Sequence, residues 1–433
     1  MADILAQAKK QAEEAEVFTV SSEETPVNFE ANRLKSIQTK QSTSTSLRII
    51  RQGRTGYATT NDPTATRNLV SMAVETAQFG TPAKFEFPST TAFPQIEVFD
   101  PAVEAVAMSE MVELGEELIA AITRHTPEIL CEGGVSKDVT SVHIRNTRGG
   151  EASYRITTFG LGIGGTLIRG TDMLFVGDSE SSCHPITDTR HIIDEVIWQL
   201  ELARNQAAVP TKSLPVIFTP RGIASALIAP LMAAFNGKTV LEGASPIGNK
   251  LGETVFDSKL WLWDDPTIPH RPSSRPCDEE GVPSQRTPLI EQGRVSHFLY
   301  DLQTAALAST KSTGNGARSR SGLPTPAPSA FVIGTGNVTF DQMVKDIQEG
   351  LVIDQLMGAE QGNVLGGDFS GNVLLGYKVE RGKIIGRVKN TMVSGNIYQL
   401  LKQIAGIGNE AKWVGSFLQT PHIYLPRVPV ASK

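Results

Sequence analysis

A helical pattern, an alternating meander and a second helical pattern occur twice in succession in the first half of this chain, and that recurrence limits the folds open to it. In the first copy, the opening residues predict a helix over Ala2–Ala15, with Ile4, Ala8, Ala12 and Ala15 on one face. The stretch RLKSIQTKQSTSTSLRIIRQGRTGYATTN then alternates polar and apolar residues as half-buried strands do, with Gln52-Gly53 as a turn. A helix follows, with Asp62 placed to cap it and Pro63 suited to its first position. Leu69, Val70, Ala73, Val74 and Ala77 form its buried stripe, which Gly80 ends. In the second copy, Asp100-Pro101 opens a helix predicted to reach His125. Strands follow in SVHIRNTRGGEASYRITTFGLGIGGTLIRGTDMLFVGDS, and a last helix over about 188–205 aligns Ile192, Ile193, Val196, Ile197 and Leu200. Even IIRQGRTGYATTND and LIRGTDMLFVGDSE match in pattern. The expected fold class is α+β, with two related helix and antiparallel-sheet units, about 1–80 and 100–208, making an N-terminal domain over 1–210.

The stretch AAVPTKSLP marks the boundary, and the texture changes beyond it. Residues 211–433 read as a β-rich domain of short, glycine-separated strands with a few helices, including one predicted over Ile397–Ile404. Arg381-Gly382 is a hairpin turn within it. A length of 433 residues calls for more than one core. A formal charge of -6 gives no support for a nucleic-acid partner. The start, MADILAQAKK, lacks a charged-then-apolar signal pattern. The longest largely apolar run, 223–235, is too short to span a bilayer and contains Pro230. Cys131, Cys183 and Cys277 are odd in number and far apart, which predicts a reduced, cytoplasmic chain without disulfides.

Several motifs fail on physical grounds. GLGIGG at 160–165 matches a dinucleotide fingerprint by letters, but strand follows it where a helix is needed to face a pyrophosphate. NGKT at 236–239 lacks the first glycine of a phosphate loop, since Met232 holds that place. No G-x-S-x-G elbow occurs. Cys277 precedes three acids that disfavour its thiolate, and Cys183 and His184 are sequence neighbours whose side chains point apart. None of the seven histidines begins H-E-x-x-H, and no C-x-x-C exists. No catalytic residue and no metal ligand is expected in this chain.

What remains is a change of sign. Asp264 and Asp265 follow a short aromatic strand, and Asp278, Glu279 and Glu280 follow a proline-rich excursion. Clustered acids bind cations, orient water or accept amine termini, or they are solvated turns. From Leu302 to Phe340 there is no acid at all, and Lys311, Arg318 and Arg320 supply the only charge. An acidic loop and a basic glycine loop are therefore placed to form two sides of one cleft. Its candidate residues are Asp264, Asp265, Asp278, Glu279, Glu280, Thr313, Gly314, Asn315 and Arg318. Such a glycine loop could hold a phosphate, a peptide backbone or nothing at all; were the ligand a peptide, Asn315 and exposed backbone at Gly314 and Gly316 would suit pairing with it, and Arg318 would suit a substrate carboxylate or an acid of a partner chain.

SPIGNKLGETVFDSKLWLWDDP, PCDEEGVPSQRTPLIEQGRVSHFLYDLQTA, STGNGARS and GGDFSGNVLLGYKVERGKIIGRVKNTMVSGNIYQLLKQI follow one another at the spacing of a known family. Together they resemble the TldD/PmbA family, also called modulators of DNA gyrase, over nearly the whole chain. TldD-like members resemble zinc metallopeptidases, with two histidines and a glutamate on a helix and a cysteine near the C-terminus. PmbA members, also called TldE, lack these and pair with a TldD partner around an enclosed peptide chamber. Here the corresponding helix reads GIASALIAPLMAAFNG and the tail WVGSFLQTPHIYLPRVPV, with no such ligand in the first and no cysteine in the second. The resemblance thus implies a PmbA/TldE-like, non-catalytic subunit, with zinc in a TldD-like partner and peptides or unfolded protein as substrate. Alternatives are a homodimeric binding module without a peptidase role, and an enzyme of another class using the clustered acids with a metal supplied elsewhere.

Overall fold

The computed structural model describes residues 1–62, 64–318 and 322–432. Pro63 and Arg320, both invoked above, lie outside the described residues. Seven strands form the first sheet: β1 (Glu14–Glu30), β2 (Arg33–Ile37), β3 (Lys40–Arg51), β4 (Arg54–Thr60), β5 (Leu130–Asn146), β6 (Glu151–Arg169) and β7 (Asp172–Ser182). Their order is β4-β3-β1-β5-β6-β7, with β2 paired to β1. The two sequence copies therefore share one antiparallel sheet, joined where β1 meets β5 from Glu16 opposite Asn146 to Phe29 opposite Gly133. The hairpins with matching sequences, β3–β4 and β6–β7, occupy equivalent outer positions. Gln52 and Gly53 turn the first of these with φ of +50° and +67°, the left-handed pair that matches strand twist.

The first helix is shorter than its sequence pattern predicts, spanning Ala2–Ala8. Ala15 belongs to β1, where alternation of Ala15 and Val17 with Glu16 and Phe18 overrides the helical spacing of the alanines. The second helix, Thr66–Ala77, buries Leu69, Val70, Ala73 and Ala77, but Asp62 does not cap it. That carboxylate closes a turn on the N–H and hydroxyl of Thr64 instead. The helix opened by Asp100 breaks at Val106 into Pro101–Ala105 and Met108–His125. The last helix of this half covers Arg190–Leu202, and the late helix covers only Ile397–Leu400. The apolar run at 223–235 falls into two short helices, Pro220–Ala226 and Ile228–Phe235. No helix among the described residues is long and apolar enough to cross a membrane.

One face of the first sheet is apolar and carries helices. Ala15 and Val17 pack with Ile4, Leu69 and Ala73, and Val27 and Phe29 pack with Met111 and Leu118. The opposite face is mixed. There Glu16 and Arg48 are buried beside Phe18, Val142 and Ile144, which pack on Cys277 from the second half. The GLGIGG glycines lie within β6, and a Cβ on Gly165 would stand 2.5 Å from the Ile129 side chain. All three cysteines are buried and free.

The second half is built on β8 (Lys212–Phe218), β9 (Leu262–Asp264), β10 (Thr287–Glu291), β11 (Arg294–Val295), β12 (Gly316–Ala317), β13 (Thr325–Pro326), β14 (Phe331–Ile333), β15 (Glu349–Met357), β16 (Asp368–Glu380), β17 (Lys383–Arg387), β18 (Thr391–Asn396), β19 (Gly406–Val414) and β20 (Leu418–Ser432). A closed barrel runs β8-β15-β16-β18-β20 and back to β8, which pairs with both β15 and β20. A lateral extension, β14-β9-β10-β11, leaves the barrel from β20. The loops joining this extension, before β10 and on either side of the small β12–β13 ladder, hold all the candidate residues except Asp264, which ends β9. The architecture is α+β, with a β-rich second half.

Candidate functional site

The acidic and basic loops do meet, and they meet against the first sheet. Glu16 on β1 and Arg48 on β3 are 0% and 2% exposed. The Arg48 guanidinium donates to Glu16 at 3.0 Å and to Glu280 at 2.5 Å. It also lies against the rings of Phe85 and Phe87, 4.8 and 4.9 Å from their centroids. Arg318 pairs with the same Glu16, while its Nε donates to the Glu279 carbonyl at 3.0 Å and its backbone N–H to the Glu279 carboxylate. Glu280 also accepts from the backbone N–H of Leu302 at 2.7 Å. Five charged side chains from two strands and two loops thus form one network.

The other candidates are held inside the same loops. Asp278 Oδ1 accepts from the N–H groups of Glu280 and Val282, and its Oδ2 from that of Gly316 at 2.8 Å. Burial, then the charge of Glu280, pushes its carboxyl upward. Asp264 accepts from Asn315 Nδ2 at 2.6 Å and from the N–H groups of Ser329 and Ala330, and burial pushes it up to about 6. Asn315 also donates to the Ala327 carbonyl and accepts from the Thr313 hydroxyl, which in turn accepts from the N–H of Tyr300. Gly314 has φ of +75°, so the turn there favours glycine. Asp265 stands apart, closing a turn on Thr267. The expected exposure of the backbone at Gly314 and Gly316 is therefore corrected: both are buried, the N–H of Gly314 donating to the Ser312 hydroxyl and that of Gly316 to Asp278.

An open cleft of about 790 Å³ lies beside this network, between the mixed face of the first sheet and the loops. Arg318 and Glu279 reach its wall, as do Phe18, Tyr154, Arg275 and Ser329. One lip is formed by the hydroxyl run Ser42, Thr43, Ser44 and Ser46 on β3. Burial pushes the Cys277 thiol up to about 12, which disfavours its thiolate. Cys183 is likewise buried and pushed up to about 12, while His184 points to Asp100 and His270.

Asp301 adds a pH-dependent element to the network. It caps helix Leu302–Leu307 through Oδ1, and burial, with the charge of Glu280, pushes it up to about 6. A carboxyl raised above its unfolded value near 3.9 stabilises the fold fully below that value and loses this contribution as pH rises through 6. Asp301→Asn keeps the Oδ1 acceptor and is always neutral. Its unfolding free energy should match that of the parent at pH 4 and exceed it by about 1–3 kcal/mol at pH 8. Urea denaturation at both values checks this, and equal stability at pH 8 would count against the buried repulsion.

Known proteins show the same organisation. A family model described as the PmbA/TldA metallopeptidase C-terminal domain matches residues 211–432, and one described as PmbA/TldA metallopeptidase domain 1 matches residues 15–77. The chain belongs to the TldD/PmbA family. An uncharacterised protein of Methanocaldococcus jannaschii is 27% identical over 404 residues, covering 91% of each chain. The metalloprotease PmbA of Escherichia coli O157:H7 is 28% identical over 224 residues, 52% of this chain and 47% of that one. The crystal structure of TldE from Thermococcus kodakarensis superposes with a TM-score of 0.90 at 23% identity, covering 100% of both chains, which shows a shared fold. This is a peptidase-like protein of the TldD/PmbA family.

The segment that the family resemblance marks for zinc does not fit the ion here. It runs through helices Pro220–Ala226 and Ile228–Phe235, where Ile223, Leu227, Leu231 and Phe235 are buried in the core of the second half. Apolar side chains offer no donor to a zinc ion. Among the described residues, no group of three or more His, Cys, Asp or Glu is arranged to hold a metal. Sequence reasoning missed Glu16, Arg48, Arg275 and Asp301. A signal existed for the first two, because a charge interrupts AEVF and SLRII where both faces of the strand are covered.

Proposed function

We propose that this chain is the PmbA/TldE-like subunit of a TldD/TldE-type zinc metallopeptidase that trims peptides, and that it shapes the peptide chamber without cutting. The observation that carries this reading is the apolar segment from Gly222 to Gly237, which stands where the family resemblance places metal-binding residues. Zinc and its activated water would come from a TldD-like partner, with the complex working in the cytoplasm. The hydroxyl-lined cleft supports a chamber role, because an extended peptide presents alternating donors and acceptors along its backbone.

Co-expression with a TldD homologue tests the proposal. The purified mixture should elute as a heterodimer and cleave an unstructured peptide at least about 10-fold faster than either chain alone, the effect expected when a chamber is completed. Full activity of the TldD chain by itself would defeat the subunit role. An unchanged homodimer in the mixture, seen by light scattering, would favour a self-associating binding module.

A further inference from the structure

The cleft contains a cation with no contacting anion. The Arg275 guanidinium donates from Nη2 to the Ser329 hydroxyl at 3.0 Å, its Nε has no partner, and among the described residues no carboxylate pairs with it. Burial works against its charge, and the nearby carboxyl groups of Asp278, Glu279 and Asp264 favour it. None of those carboxylates reaches it, because each is committed elsewhere. Asp264 serves Asn315, Ser329 and Ala330, Asp278 serves three backbone N–H groups, and Glu279 serves Arg318. Immediately before Arg275, the hydroxyls of Ser273 and Ser274 also lack partners, and Ser274 is fully buried. All three residues line the cleft.

We propose that Arg275, with Ser273 and Ser274, binds a carboxylate of a peptide lying in this cleft. A carboxylate is the anion that accepts from a planar guanidinium and from hydroxyls together. Glu279 on the same wall opposes a polyanion, so the site takes a single carboxylate. Phe18, Val142, Ile156 and Phe417 give the adjoining side chain an apolar bed. The carboxylate comes either from the peptide's C-terminus or from an acidic side chain. The proposal rests on the peptide-chamber reading above, but its test measures binding to this chain alone.

Three randomised pentapeptide pools separate the sources: free acids without Asp or Glu, the same pool amidated, and amidated peptides carrying one Glu. Fluorescence titration of the full-length protein should show at least one carboxylate-bearing pool binding about 10- to 100-fold more tightly than the amidated, acid-free pool. Arg275→Gln should abolish that preference, and Arg275→Lys should keep part of it. Equal binding of all three pools, no binding of any, or an unchanged preference in folded Arg275→Gln overturns the proposal. If Arg275→Gln unfolds, Ser273→Ala decides, with a loss of at least about 3-fold expected for the preferred pool. Selective binding without partner-dependent cleavage would defeat the subunit reading and leave this one standing.

Discussion

Replacing Arg48 with alanine is expected to lower the stability of the chain by about 3–5 kcal/mol, the range for leaving a buried charge without its partner. Both of its carboxylate partners, Glu16 and Glu280, are fully buried, so neither can turn to water. The substitution also removes the side chain that packs against Phe85 and Phe87. Urea unfolding followed by tryptophan fluorescence measures the loss. A double-mutant cycle separates charge from packing: Arg48→Met combined with Glu280→Gln should recover part of what Arg48→Met loses, through a coupling energy above about 1 kcal/mol. A loss below about 1 kcal/mol for Arg48→Ala would mean that the two halves do not rely on this network.

Asn315→Ala should cost about 2–3 kcal/mol, since hydrogen bonds to charged groups carry about that much and the acceptor left behind is buried. The residue serves Asp264, the Ala327 carbonyl and the Thr313 hydroxyl at once. Asp264 would then keep only its two backbone donors, and its carboxyl would rise further. The thermal midpoint and a pH titration of stability between 5 and 8 would register both effects. An unchanged midpoint with weakened peptide binding would instead make Asn315 a ligand contact.

Much of the architecture was legible because periodicity reports what a chain buries. The hairpins at Gln52-Gly53 and Arg381-Gly382 declared themselves through Gly53 and Gly382, which adopt positive φ without a steric cost. The stripe from Leu69 to Ala77 declared itself through helical spacing. The first helix was overextended because alanine fits both states, and only the partners of β1 on either side decide that Ala15 belongs to a strand. Asp62 has the chemistry of a cap and of a turn, and the sequence does not choose between them.

The site was half legible. The change from acidic to basic loops located the meeting of the two segments, since opposite charges concentrated in adjoining stretches attract. Their state was hidden. Asp278 and Asn315 look like surface chemistry in the sequence, yet loops supplied enough N–H groups to bury them. Arg275 was passed over because its isolation is a property of neighbours that come from elsewhere in the chain, at Tyr154 and Ser329.

The barrel carries a consequence for how the protein is made. β8 near the start of the second half is hydrogen-bonded to β20, which begins at Leu418, 200 residues after β8 ends at Phe218, and β20 also pairs with β14, β18 and β19. Closure therefore waits for the last strand to leave the ribosome, whereas every strand of the first sheet has emerged by Ser182. In that interval the first sheet presents Glu16 and Arg48, already paired with each other, where the loops will later dock. An ion pair is readily wetted, so the charged part of this patch offers less grip to aggregation and to holdase chaperones than Phe18, Val142 and Ile144 beside it, which stay uncovered until Cys277 packs on them.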